Sequence, residues 1–95
     1  MTEKNGLLAV VFDMPAMTAV QYDQVVRDLE RAGLGAPNGR FYHLAALKED
    51  GWYVVDIWEK AEKLDCFIQA LLPILQRNGV TPPQPQILPA YNIIG

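Results

Sequence analysis

Arg40-Phe41-Tyr42-His43-Leu44-Ala45-Ala46-Leu47-Lys48, then Glu49-Asp50-Gly51, then Trp52-Tyr53-Val54-Val55-Asp56-Ile57-Trp58-Glu59 run consecutively in the middle of the chain. The first and last segments are rich in aromatic and β-branched residues, as strands are. The Asp-Gly step between them suits a tight turn with positive φ. Arg40–Lys48 and Trp52–Glu59 are therefore expected to form a hairpin. Side chains alternate along a strand, so Trp52, Val54, Asp56 and Trp58 share one face, and Tyr53, Val55 and Ile57 the other. In the preceding strand Phe41, His43, Ala45 and Leu47 oppose Tyr42, Leu44 and Ala46. Both faces are mostly apolar. A two-residue turn at Asp50-Gly51 pairs Glu49 with Trp52 and sets His43 opposite Trp58, with Asp56 on the diagonal. A four-residue connection sets His43 directly opposite Asp56. Either register keeps His43, Asp56 and Trp58 on one face, whereas a slip of one residue would separate them.

Outward from the hairpin, the chain alternates strand and helix signals. Leu7-Leu8-Ala9-Val10-Val11-Phe12, ended by Asp13-Met14-Pro15, has the length and β-branched content of a buried central strand. Thr18 and Gln21 have the spacing of a capping box, and Met17 and Tyr22 that of a hydrophobic staple. Tyr22, Val25, Val26 and Leu29 then form one apolar helix face, and Gly33 is placed to end the helix. The glycines of Gly33-Leu34-Gly35-Ala36-Pro37-Asn38-Gly39 lack the G-x-G-x-x-G spacing and follow a helix, so the loop is not a dinucleotide site. Lys60 to Arg77 is predicted helical, with Ala61, Leu64, Ile68, Leu71 and Leu75 on one face. Cys66 is expected near that apolar side as a small hydrophobe. Pro73 predicts a kink or a second short helix, and Asn78-Gly79 closes the segment. Thr81-Pro82-Pro83-Gln84-Pro85 is an extended connector. Gln86 to Ile94 is an apolar strand broken by Pro89, which marks an edge or a bulge.

The order is β-α-β-β-α-β, the ferredoxin-like split βαβ of the α+β class, with a four-stranded antiparallel sheet and both helices on one face. Residues 1–95 are read as one domain. Two helices cover one face only, and the other would leave a large apolar patch. A face-to-face homodimer resolves it.

Composition narrows the function. The chain has 95 residues, a net charge of −3, 51 % hydrophobic and 20 % charged residues. This excludes a disordered chain. With a pI near 4.9 it also argues against nucleic acid as a partner. Asp50-Gly51-Trp52-Tyr53-Val54-Val55-Asp56-Ile57 faintly echoes an RNA-recognition signature, but that signature begins with Lys or Arg, and the dimer would cover the same face. The single cysteine, Cys66, rules out an intramolecular disulfide and a four-thiolate metal site, and suits a reducing cytoplasm. Met1-Thr2-Glu3-Lys4-Asn5-Gly6 has no signal-peptide core, and the early apolar run is too short to span a membrane. No metal cluster, cofactor motif or Ser-His-Asp set is visible.

The segments Phe41-Tyr42-His43-Leu44-Ala45, Asp50-Gly51-Trp52 and Val55-Asp56-Ile57-Trp58-Glu59 resemble the dimeric α/β-barrel superfamily, and within it the small antibiotic biosynthesis monooxygenase-like proteins. Met14-Pro15-Ala16-Met17-Thr18 before the first helix and the closing Leu88-Pro89-Ala90-Tyr91-Asn92 fit as well, so the resemblance spans about residues 7–94. It implies a homodimer whose sheets pack into a barrel, and a cavity between sheet and helices in each subunit. Trp58 would line that cavity, and by parity His43, Asp56 and Trp52 would join it. Two positions depart from the pattern. Lys60 stands where Ser or Thr often caps the second helix, and Tyr91 stands where a histidine often precedes the asparagine. His43 is therefore the only histidine a site can use.

Candidate roles follow, each beside a plainer one. An imidazole titrates near neutrality, so His43 beside Asp56 could be a general base with its tautomer held by the carboxylate. The same pair could simply satisfy two polar groups in a core. Trp52 and Trp58 could stack on a planar substrate, or fill a small core. Tyr22 could point its hydroxyl into the cavity mouth, or serve only as the staple. Tyr91 and Asn92 could supply polar contacts from the last strand. Haem ligation by His43 is conceivable, yet one histidine on a strand is weak support, and no cofactor is expected. Taken with these readings, the resemblance implies a cofactor-independent monooxygenase-like enzyme on a small planar apolar compound. The alternative is a non-catalytic module that binds a small apolar or aromatic ligand, or serves dimerisation.

Overall fold

The structure, a computed structural model, describes residues 6–94. The reading of the amino-terminal residues as lacking a signal core lies outside this range. The elements are β1 (Leu8–Pro15), α1 (Ala19–Arg31), β2 (Arg40–Lys48), β3 (Gly51–Trp58), α2 (Ala61–Arg77) and β4 (Gln86–Pro89). The four strands form one antiparallel sheet in the order β2-β3-β1-β4, the ferredoxin-like α+β arrangement. No described helix is long and apolar enough to cross a membrane.

The inner sheet face carries Val10, Phe12, Met14, Val54 and Trp58. They pack with Val25 and Leu29 of α1 and Leu64, Phe67, Ile74 and Leu75 of α2. Both helices thus cover one face. On the other face Tyr42, Leu44, Tyr53 and Leu88 are exposed.

Capping sets the helix ends. The Thr18 side chain accepts from the Gln21 N–H at 3.1 Å, while Gln21 Oε1 accepts from the Thr18 N–H at 2.9 Å. Gly33, with φ of 77°, turns the chain out of α1, and the Leu34 N–H bonds the Leu29 carbonyl at 2.7 Å, a Schellman closure. Lys60 occupies the N-cap of α2 and makes no side-chain cap, as its missing acceptor predicts.

Several boundaries differ from expectation. The hairpin turns at Glu49–Asp50, with Lys48 paired to Gly51. His43 thus stands opposite Asp56 through a two-residue turn one position earlier than the Asp-Gly step suggests. Gly51 is needed for closeness: a Cβ there would collide with the Met14 carbonyl and the backbone of Pro15 and Ala16. β1 runs on to Pro15 because β3 pairs with it to the end of the hairpin. β4 stops at Pro89, opposite Leu8, where β1 begins; one further bond, from the Ala90 N–H to the Leu7 carbonyl at 2.9 Å, follows it. α2 runs as one helix through Pro73, because packing of Ile74 and Leu75 offsets the lost bond. Phe67 belongs to its buried face, whereas Ala61 and Cys66 are exposed.

Candidate functional site

Between the inner sheet face and the helices lies a cavity of about 190 Å³. Its wall is largely apolar, formed by Phe12, Met14, Val25, Leu29, Phe67 and Leu71 among others, with Tyr22, Arg40, His43 and Asp56 as its polar members. α1 delivers Tyr22 from its first turn, β2 delivers His43 and β3 delivers Asp56.

Three of these polar members, Tyr22, His43 and Asp56, form a hydrogen-bonded chain. His43 Nδ1 lies 2.6 Å from Asp56 Oδ1. His43 Nε2 lies 3.0 Å from the Tyr22 hydroxyl. Trp58 Nε1 donates to Asp56 Oδ2 at 3.3 Å. Asp56 is 2 % exposed, so its carboxylate depends on these donors. An ionised carboxylate only accepts, so facing one the His43 Nδ1 carries a proton, and a neutral imidazole would then accept the Tyr22 O–H at its Nε2 lone pair. The His43 side chain is 29 % exposed, which leaves the imidazole reachable from the cavity. Burial raises the pKa of Tyr22 above its ordinary value, against the opposing pull of the Arg40 charge. The phenol therefore stays protonated at neutral pH.

The seven residues singled out from the sequence are not all brought together, and Tyr91 is exposed. Tyr22, His43 and Asp56 meet at the cavity. Trp58 is fully buried and packs against Phe67 at 5.2 Å between ring centroids. It holds Asp56 from behind and is not part of the cavity wall. Trp52 stacks on Tyr22 at 4.5 Å between centroids and braces that ring from outside the wall; its indole N–H is buried without a partner. Asn92 lies beyond the end of β4 on exposed chain and does not line the cavity.

Arg40 was missed. Strict alternation from His43 puts Phe41 on the cavity face and Arg40 on the opposite one. A bulge between Arg40 and Tyr42 sets Arg40 opposite Trp58 and Tyr42 opposite Ile57. That inserts one residue and returns Arg40 to the inner side. No sequence signal announces this bulge. Among the described residues no group of three or more His, Cys, Asp or Glu is arranged to hold a metal.

No family profile and no curated protein matches the sequence. Solved structures of low sequence identity match nearly its whole length. A candidate antibiotic biosynthesis monooxygenase from Chloroflexus aurantiacus superposes with a TM-score of 0.66 at 9 % identity, covering 95 % of this chain and 98 % of that one. The cofactor-independent oxygenase SnoaB from Streptomyces nogalater gives 0.64 at 13 % identity, over 93 % and 95 %. A monooxygenase from Streptomyces coelicolor, in complex with nanaomycin D, gives 0.59 at 18 % identity, over 96 % and 92 %. The fold is thus that of the antibiotic biosynthesis monooxygenase-like proteins. At these identities the likeness speaks for the fold alone.

Proposed function

We propose that the protein is a homodimeric, cofactor-independent monooxygenase-type enzyme acting on a small planar compound held in the cavity. The observation that carries this reading is the Tyr22–His43–Asp56 chain opening onto an apolar cavity. A cavity of about 150 Å³ suffices for benzene, so 190 Å³ takes one ring or a compact fused pair.

In the proposed reaction the substrate's acidic hydrogen takes the place of the Tyr22 proton at His43 Nε2. The imidazole removes it, and Asp56 stabilises the imidazolium that forms. The Tyr22 hydroxyl, still protonated, then donates to the substrate. The carbanion is itself the electron donor to molecular oxygen: a carbon–oxygen bond forms, the proton returned by His43 completes a hydroperoxide, and loss of water across the same carbon breaks the O–O bond, leaving one oxygen in the product as a carbonyl and the other in water. Exclusion of water by the apolar wall protects the carbanion until oxygen arrives. The single free thiol, Cys66, fits a reducing cytoplasm as the setting.

The dimer rests on the uncovered sheet face. Tyr42, Leu44, Tyr53 and Leu88 are exposed there, beside the half-buried Ala9, Val11, Val55 and Ile57. A second copy would bury a patch that monomers rarely leave open.

The test is oxygen uptake over a panel of planar ring compounds with enolisable or phenolic groups. His43→Ala should abolish turnover while sedimentation still shows the dimer; full activity in that variant would overturn the mechanism. One feature favours the second reading, non-catalytic ligand binding: Nε2 is already occupied by the Tyr22 hydroxyl. A ligand that copurifies and survives aerobic incubation unchanged would support it.

A further inference from the structure

The chain has one histidine and four tyrosines. Of the four, Tyr22 is the one that meets the imidazole, its hydroxyl 3.0 Å from His43 Nε2. Tyr42, Tyr53 and Tyr91 are exposed. A phenol gives up an electron readily only when its proton leaves too, because the phenol radical cation is a strong acid. An imidazole at hydrogen-bond distance can take that proton without moving. The Asp56 carboxylate, 2.6 Å behind at Nδ1, favours the imidazolium that results. Burial raises the Tyr22 pKa, so the proton is still on the phenol when the electron leaves.

A second ring lies against the first. Trp52 stacks on Tyr22 at 4.5 Å between centroids, with the planes 16° apart. Two aromatic rings in such contact can share an electron hole. Yet Trp52 Nε1 is buried with no partner, and an indole N–H is a donor only. With no base beside it, an oxidised indole has nowhere to send its proton. A hole shared by the two rings therefore comes to rest on Tyr22. Trp52 is half-buried and stands outside the cavity wall, so the stacked pair links the cavity to the exterior.

We propose that Tyr22 is a redox-active tyrosine that reduces one-electron oxidants of the peroxyl-radical class, with His43 as its proton acceptor and Trp52 as its electron relay to the exterior. An electron passes from the phenol to the peroxyl radical, which becomes a peroxide anion. The phenolic O–H bond breaks, its proton goes to His43 Nε2, and a neutral phenoxyl radical remains. An enediol reductant such as ascorbate restores the pair from outside. Its electron returns through Trp52 to the phenoxyl, the proton on His43 rejoins the oxygen, and the enediol is left as its own radical.

The test uses the protein without substrate and photo-oxidised ruthenium tris-bipyridine as the one-electron oxidant. Electron paramagnetic resonance of the wild type should show a persistent phenoxyl radical whose hyperfine pattern collapses when ring-deuterated tyrosine is incorporated. Its formation should be slower in heavy water, since proton and electron leave together. Tyr22→Phe should leave only the short-lived signals of the exposed tyrosines. His43→Gln keeps an oxygen to accept the O–H but no base, so it should slow formation by roughly two orders of magnitude and abolish the isotope effect. Trp52→Phe keeps a stacked ring that is hard to oxidise, so the phenoxyl should outlast added ascorbate for longer. A persistent indolyl radical in the wild type, a phenoxyl signal unchanged in Tyr22→Phe, or an undiminished rate in His43→Gln would each overturn the proposal. Unaltered ascorbate decay in Trp52→Phe would overturn the relay. The wild-type spectrum and its isotope effect need no variant to fold. No turnover is read, so the enzymatic reading can fail without altering this result.

Discussion

Asp56 is the residue on which the site turns, since each of its oxygens has a donor of its own. Its contact with His43 decides which imidazole nitrogen carries the proton. The chain has one histidine, so nitrogen-15 spectra of the imidazole should show a protonated Nδ1 and a bare Nε2 hydrogen-bonded to a hydroxyl. The opposite tautomer would dismantle the proposed base. Asp56→Asn preserves shape but lets the amide donate to Nδ1, so the tautomer should reverse and turnover fall by roughly two orders of magnitude or more. Trp58→Phe keeps most of the core volume and removes only the indole donor to Asp56 Oδ2. It should cost about 1–3 kcal/mol in urea unfolding, while Trp58→Ala should cost about 3–5 kcal/mol. Strand parity made His43 and Asp56 legible in the sequence, because any odd-register hairpin holds them together. Parity could not say which of the inward tryptophans reach the cavity. Depth depends on the helices above, and α2 with Phe67 closes over Trp58.

At the scale of elements, a polar clamp ties Gln21 and Asp28 of α1 to the C-terminal end of α2. Asn78 Nδ2 donates to Asp28 Oδ2 at 2.9 Å, Gln21 Nε2 donates to the Asn78 carbonyl at 3.2 Å, and Arg77 Nη2 lies 3.3 Å from Asp28 Oδ2. Hydrogen bonds from Asn78 and then Gln24 hold the Asp28 carboxyl below its ordinary pKa. A depressed carboxyl stabilises the fold fully above the unfolded carboxylate value of about 3.9 and loses that contribution as pH falls through the folded value. The urea midpoint of the wild type should therefore drop on acidification through this range, and Asp28→Asn should flatten that part of the curve. Thr18→Ala removes one half of the capping box and should cost about 1 kcal/mol. Tyr22 lies one turn beyond, so the same change should also weaken ligand binding. Both helices were legible from caps and apolar spacing. The bulge at Phe41 was not, since it arises where β2 must fit the end of β3. Nor was the early stop of β4, because the apolar residues after Pro89 continue the pattern without a ladder to join.

The whole molecule has a helix-covered face and a bare one. Leu44→Glu would place a charge in the middle of the bare face, so sedimentation should show monomers while the far-ultraviolet spectrum is kept. A wild-type monomer at micromolar concentration would sink the dimer. The apolar residues on both sides of the hairpin made that second face legible; what covers it, a second copy in the proposed dimer, is not encoded by single-chain alternation. The strand order β2-β3-β1-β4 also bears on how the protein is made. β1 is the earliest strand to be synthesised, yet both of its neighbours come later, and β4 comes last of all. The β2–β3 hairpin can assemble from local contacts, whereas β1 must wait for partners distant in sequence. Its inward residues Val10, Phe12 and Met14 stay exposed meanwhile, which is when short chains are open to aggregation and proteolysis. A ribosome-bound chain halted before Gln86 should therefore be cut readily by protease, and release of the full strand should bring resistance.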